Sequence, residues 1–235
     1  MQKGGAAMLQ LLREAQYNDM SFLRYQAQTV CFTGHRPEKF LDEPLYSSEV
    51  TLRSIQTLLT MLIADTYEKG ARFFITGMAR GVDLWAGEIL LYMQQFLPDI
   101  HIIAAVPHPT HGQAFREKEA QLLYRIGNAA DAVICTSDTV SNWCFLKRND
   151  YMLRHASTLL AVHRQNEGGT AYTIKKARAQ GIERRIIQLD SYPRMIPLLE
   201  RYPEVYRMYR PSQRYAFWEK NPYLLYQCGL LSEES

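Results

Sequence analysis

Phe73-Phe74-Ile75-Thr76-Gly77-Met78-Ala79-Arg80-Gly81-Val82-Asp83-Leu84-Trp85 is the stretch that decides the fold of this chain. Three apolar residues end at a Thr-Gly step, and a second glycine follows four residues on. Apolar residues then recur at helical spacing through Val82, Trp85, Ile89, Met93 and Phe96. A short continuous apolar run suits a strand buried on both faces, and the change to a 3.6-residue period suits a helix laid over it. The stretch therefore predicts a strand, a glycine-bearing turn and a helix over 81–96.

The same unit repeats on either side. Upstream lie the run Thr29-Val30-Cys31-Phe32-Thr33 and a helix pattern over 50–69, with Leu52, Ile55, Leu58, Leu59, Leu62 and Ile63 on one face. Gly70 closes it, as a C-terminal glycine often does. Downstream come a run from Ile102 to Val106, a helix near 113–127, a run from Ala132 to Cys135 and a helix near 143–156. A run from Thr158 to Val162, a helix near 170–180 closed by Gly181 and a run from Arg185 to Leu189 complete the series. Six strands alternating with amphipathic helices predict an α/β fold. It is a Rossmann-like, doubly wound, mostly parallel sheet of about six strands, covered by helices on both faces.

That domain accounts for residues 28–190. Residues 1–27 read as an N-terminal helical extension. Residues 191–235 carry Trp218 and tyrosines at 192, 202, 206, 209, 215, 223 and 226, broken by prolines at 193, 197, 203, 211 and 222. They are expected to pack on the core as an aromatic-rich extension. Across 235 residues, 47% hydrophobic and 22% charged residues match an ordinary globular protein. A net charge of +3 permits an anionic ligand without demanding nucleic acid. The cysteines at 31, 135, 144 and 228 show neither a C-x-x-C pair nor a regular spacing, which argues against a disulfide framework or a zinc site. With no apolar run long enough to cross a bilayer and no signal-peptide pattern, a cytoplasmic protein is expected.

Ligands of such sheets bind beyond the C-terminal strand ends, so the residues after each run carry the chemistry. After the first run stand Thr33, Gly34, His35 and Arg36; after the second, Thr76, Gly77, Arg80, Gly81 and Asp83; after the fifth, Gly168, Gly169 and Thr170. Glycines let backbone approach a ligand closely, and a helix start behind them directs N–H groups and positive potential at it. Phosphate is the natural occupant, with the arginines adding charged hydrogen bonds and the threonines adding hydroxyls. Any one Thr-Gly step is as readily an ordinary turn, and Gly81 and Gly169 also serve close packing. Three such loops on one sheet edge favour a phosphate site. His108 and His111, in Pro107-His108-Pro109-Thr110-His111-Gly112-Gln113, lack the further ligands a metal site needs, so no metal and no cofactor is expected. That loop is expected to shape the pocket or contact a base. Trp143 and Phe145 suit stacking on a base, and suit the core of the next helix better.

Ile75-Thr76-Gly77-Met78-Ala79-Arg80-Gly81-Val82-Asp83 resembles a motif of the Smf/DprA DNA-processing proteins. The stretch from Arg148-Asn149-Asp150 to Gly168-Gly169-Thr170 is similar to the corresponding region of LOG-type phosphoribohydrolases. Together with Thr33-Gly34-His35-Arg36-Pro37-Glu38-Lys39, these resemblances point to the SLOG superfamily and its YpsA-like branch. The resemblance implies a nucleotide or nucleotide-derived, phosphate-bearing ligand (ADP-ribose-like candidates) and adds Arg148 as a contact. The three loops, together with a missing catalytic glutamate, favour a sensor or regulator, and a homodimer is expected by analogy with the relatives. The glutamate that serves N-glycosidic chemistry in LOG enzymes is replaced here by Thr173, which sets binding apart from catalysis. An alternative is a nucleotide N-glycosidase using Asp83 or Asp150 as its carboxylate, with Glu88 and Glu167 nearby in sequence. A second alternative is single-stranded DNA binding of the Smf/DprA type, to which Lys175, Lys176, Arg178, Arg184 and Arg185 would contribute.

Overall fold

A computed structural model describes residues 20–40, 48–164 and 168–188. Within them six strands form one sheet: β1 Thr29–Gly34, β2 Phe73–Thr76, β3 His101–Val106, β4 Ala132–Cys135, β5 Thr158–His163 and β6 Glu183–Gln188. The order is β4-β3-β2-β1-β5-β6, and every pair is parallel. The connecting helices are α1 Ser48–Glu68, α2 Val82–Met93, α3 Glu117–Ala129, α4 Cys144–Arg154 and α5 Gly168–Ala179.

Alternate side chains of each strand enter opposite layers. Val30 and Phe32 of β1 join Leu58, Leu62, Leu90 and Ile126 in one core, with α1, α2 and α3 over it. Cys31 of the same strand joins Met152, Leu153 and Ala177 in the other, under α4 and α5. This division follows from the fixed hand of β–α–β crossovers. The chain winds from β1 to β4 with helices on one face, then returns across the sheet and winds through β5 and β6 with helices on the other. The direction reverses between β1 and β5, so their C-terminal ends diverge into a cleft.

Several element ends differ from the sequence expectation, for identifiable reasons. The helix expected near 113–127 begins at Glu117, because Gly112 at φ 91° keeps residues 108–115 in successive turns. The Glu119 carboxylate then accepts the Arg116 N–H at 3.3 Å and starts the helix. The helix expected over 81–96 ends at Met93, and Phe96 is exposed beyond it. The helix expected near 170–180 starts earlier, at Gly168. Of the N-terminal extension, residues 20–28 form short 3-10 turns kinked at Tyr25, whose ring stacks on Phe73 at 4.9 Å. The rest of that extension, Glu167 and the 191–235 segment lie outside the described residues. Among the described residues, Cys31, Cys135 and Cys144 are free thiols, and no helix is long and apolar enough to cross a membrane.

Candidate functional site

Two glycine-bearing loops meet at the strand ends and hold each other in place. A Cβ at Gly34 would overlap the Val82 side chain at the start of α2, and a Cβ at Gly81 would stand 2.6 Å from the His35 carbonyl oxygen. Gly81 also adopts φ 87°, a conformation other residues rarely take. The turn between them is shaped from within. Thr76 Oγ1 donates to the Asp83 carbonyl at 2.7 Å and accepts the Met78 N–H at 3.3 Å. Met78 is thereby held at φ 58° and fully buried, a backbone state that L residues other than asparagine and aspartate seldom take. Its carbonyl accepts His111 Nε2–H at 2.9 Å, so His111 Nδ1 carries no proton in the neutral ring.

Beneath this turn lies a buried ion pair. Arg148 of α4 donates through Nη1 to the Gly77 carbonyl and stands 3.4 Å from Asp83 Oδ2. A Cβ at Gly77 would overlap the guanidinium, which explains that glycine. Both side chains are nearly inaccessible, 6% and 7% exposed. Burial raises the Asp83 pKa, against the pull of Arg148 and of the Ala79 and Gly77 N–H groups. Burial likewise lowers that of Arg148, against Asp83. Asp83 Oδ1 and Arg148 Nε have no hydrogen-bond partner among the described residues.

The cleft above has a volume of about 950 Å³. Of the expected ligand contacts, Thr33, Gly34, His35, Arg36, Arg80, Asp83, Arg148, Gly168, Gly169 and Thr170 line it together. Thr76, Gly77 and Gly81 do not; they shape the turn from behind. Arg80 is bracketed by carboxylates, with Nε 2.8 Å from both Glu119 oxygens and Nη2 2.5 Å from Glu38. Arg36 and Lys39, by contrast, line the cleft without a salt bridge to a described residue. His35 lies against His163, ring centroids 5.8 Å apart, and burial together with Lys39, His163 and Arg164 pulls its pKa down to about 4.

Asp150 is placed outside the cleft lining, in a 2.6 Å salt bridge to Lys176 and accepting the Tyr172 hydroxyl at 3.3 Å. Thr173 is fully buried. Its hydroxyl donates to the Gly169 carbonyl and accepts from Asn149 Nδ2, both at 2.8 Å. Of the basic cluster, Lys176 is held by Asp150, and Arg185 by Asp65 and Glu183. Trp143 is exposed and not part of the cleft lining, whereas Phe145 lines it. Sequence reasoning reached Lys39 and Gln113 only as parts of longer stretches and did not reach Phe115 of the lining, because their signal is only their proximity to strand ends.

A profile of the YspA SLOG family matches residues 30–191. A UPF0398 protein of Bacillus thuringiensis strain Al Hakam is 24% identical over 161 residues, spanning 66% of this chain and 84% of that protein. Its counterpart in Bacillus cereus strain B4264 is 26% identical over 157 residues, with the same shares. Among solved structures, the fold is similar to DNA processing protein A of Helicobacter pylori, a single-stranded DNA binder. The TM-score is 0.49 and the identity 16%, over 72% of this chain and 68% of that one. DNA processing protein A of Streptococcus pneumoniae gives a TM-score of 0.46 at 16% identity, over 72% of this chain and 52% of that one.

Proposed function

The chain belongs to the YspA SLOG family, and on that premise we propose that it binds a nucleotide or nucleotide-derived ligand through its phosphates, as a sensor or regulator. One observation carries the reading. The cleft at the β1–β5 reversal is flanked by Gly34 on one side and by Gly168 and Gly169 at the start of α5 on the other, with Arg36 and Lys39 beside it. Close backbone, a helix N-terminus and two cations without a salt bridge to a described residue form an anion cradle. ADP-ribose-like compounds are the candidates of first choice. Thr173 supports binding over hydrolysis, since it brings a neutral hydroxyl, bonded on both sides, to the position where a carboxylate would act.

Thermal melting against a panel of nucleoside mono- and diphosphates and ADP-ribose tests the proposal. A ligand at 100 times its Kd contributes about 2.7 kcal/mol. In a domain of this size that raises Tm by roughly 5–10 °C. Arg36→Gln should abolish most of the shift while leaving the unliganded Tm nearly unchanged. No shift with any compound of the panel would refute the reading.

Asp83 favours a second reading, N-glycosidic hydrolysis. It lines the cleft with an oxygen that has no hydrogen-bond partner among the described residues, and burial raises its pKa, the direction that suits a carboxyl to acid–base work. Free base released from a nucleotide by the wild type, and lost in Asp83→Asn, would establish it. No release from any nucleotide of the panel would remove it.

A further inference from the structure

The phosphate reading accounts for the β1 and β5 side of the cleft and leaves the β3 and β4 side without a role. That second side is built of rings. His108, His111 and Phe115 follow β3, and Phe145 opens α4 after β4. Phe145 lies edge-on to His108 at 5.9 Å and to His111 at 6.1 Å, and His111 lies edge-on to Phe115 at 5.2 Å. The two histidines are fixed, one by the Met78 carbonyl and the other by Thr110 Oγ1 at 3.0 Å. Phe145 nonetheless remains 37% exposed, and Val140, which also lines the cleft, 65% exposed. A rigid apolar surface is thus held open to solvent inside a cleft.

Charge separates the two ends. Burial lowers the pKa of His108, and brings that of His111 down to about 4, so neither ring is a cation at neutral pH. Arg148 of α4 is engaged by Asp83 and Gly77. Phosphate is therefore drawn to Arg36 and Lys39 rather than here. In the order β4-β3-β2-β1-β5-β6, the midpoint of β4 and β3 lies three strand intervals from the midpoint of β1 and β5. At the usual spacing that is about 14 Å along the sheet. A free phosphate or a free base fills one end only; a base joined through ribose to a pyrophosphate reaches both.

We propose that the ring-lined end, centred on Phe145, receives the base of a nucleoside diphosphate or a larger derivative whose phosphates lie at 34–36 and 168–170. This rests on the phosphate reading above. Base-on-ring stacking is sequence-tolerant and commonly worth about tenfold in affinity or more.

Titration calorimetry on the full chain with pyrophosphate, ADP, GDP, CDP and UDP tests it. The wild type should bind at least one nucleoside diphosphate at least tenfold more tightly than pyrophosphate. Phe145→Ala should remove that gain and leave pyrophosphate affinity unchanged, and Phe145→Leu, which keeps the apolar packing, should remove most of it. Arg36→Gln should weaken both ligand types together. If pyrophosphate binds and no nucleoside diphosphate binds more tightly, or if Phe145→Leu keeps the full gain, the base end is overturned and the phosphate site stands. If neither pyrophosphate nor any diphosphate binds, the phosphate reading fails and this inference falls with it.

Discussion

At the scale of single residues, the glycines of the site owe their identity to neighbours far away in sequence. Gly77 makes room for Arg148, 71 residues on, and Gly81 for the His35 carbonyl. That a glycine was needed is legible in Thr76-Gly77 and Arg80-Gly81; what approaches it is not. Gly81→Ala meets both a positive φ and a backbone oxygen that cannot swing aside, so a loss of about 1–3 kcal/mol is expected in chemical denaturation. The buried pair beneath gives a sharper test. Asp83→Leu leaves the Arg148 guanidinium buried without its partner and should cost about 3–5 kcal/mol. Adding Arg148→Met to it should recover much of that loss, because two apolar side chains need no partner. A double variant no more stable than the single one would show that the pair does not act as a unit.

At the scale of elements, the strands were legible because burial on both faces makes them continuous apolar runs, as in Phe73-Phe74-Ile75 and Thr158-Leu159-Leu160-Ala161-Val162. The start of α3 was not. Its position depends on Gly112 and on the Glu119 contact to Arg116, whereas the apolar spacing extends smoothly into the preceding turns. That loop became one wall of the cleft, and the sequence pointed there only through its place after the third run and through Pro107 and Pro109. The first turn of α5 carries its own prediction. Thr173→Val keeps the shape but removes a hydroxyl bonded to Gly169 and Asn149, leaving the Asn149 amide short of an acceptor. A loss of about 1–3 kcal/mol is expected from melting curves. Serine at the same position should restore most of it.

At the scale of the whole molecule, pH acts through buried rings. His35 and His111 both have pKa values near 4 in the folded state, against an ordinary value of 6.5. Between those values the unfolded chain binds more protons than the folded one, so stability rises with pH across that window. The His111 contribution alone amounts to about 3 kcal/mol at the acid end. Asp83 acts in the opposite sense. Its raised pKa lets the folded state hold a proton longer than the unfolded one, so its contribution falls as pH rises above the usual carboxylate range. The histidine part falls between about 6.5 and 4, and His111→Gln isolates it from the carboxyl part. Tm should decline from about pH 6.5 toward 4, with a shallower decline in His111→Gln. A level Tm down to pH 5 would contradict this. Strand order belongs to this scale too. Parallel strands have no connecting hairpin to fix their neighbours, so the sequence predicted a doubly wound sheet without saying where it reverses.

The reversal between β1 and β5 also sets a timetable for synthesis. Val30 pairs with Thr158, so the first strand must wait for nearly the whole domain to leave the ribosome before its second neighbour exists. Strands β1 to β4 and the three helices over them can assemble earlier as a half-sheet, with one flank of β1 still unpaired. The proposed anion cradle needs Gly168 and Gly169 opposite Gly34, and so comes into being only late in the growth of the domain. A nascent chain would therefore be blind to the proposed ligand until the domain is all but finished.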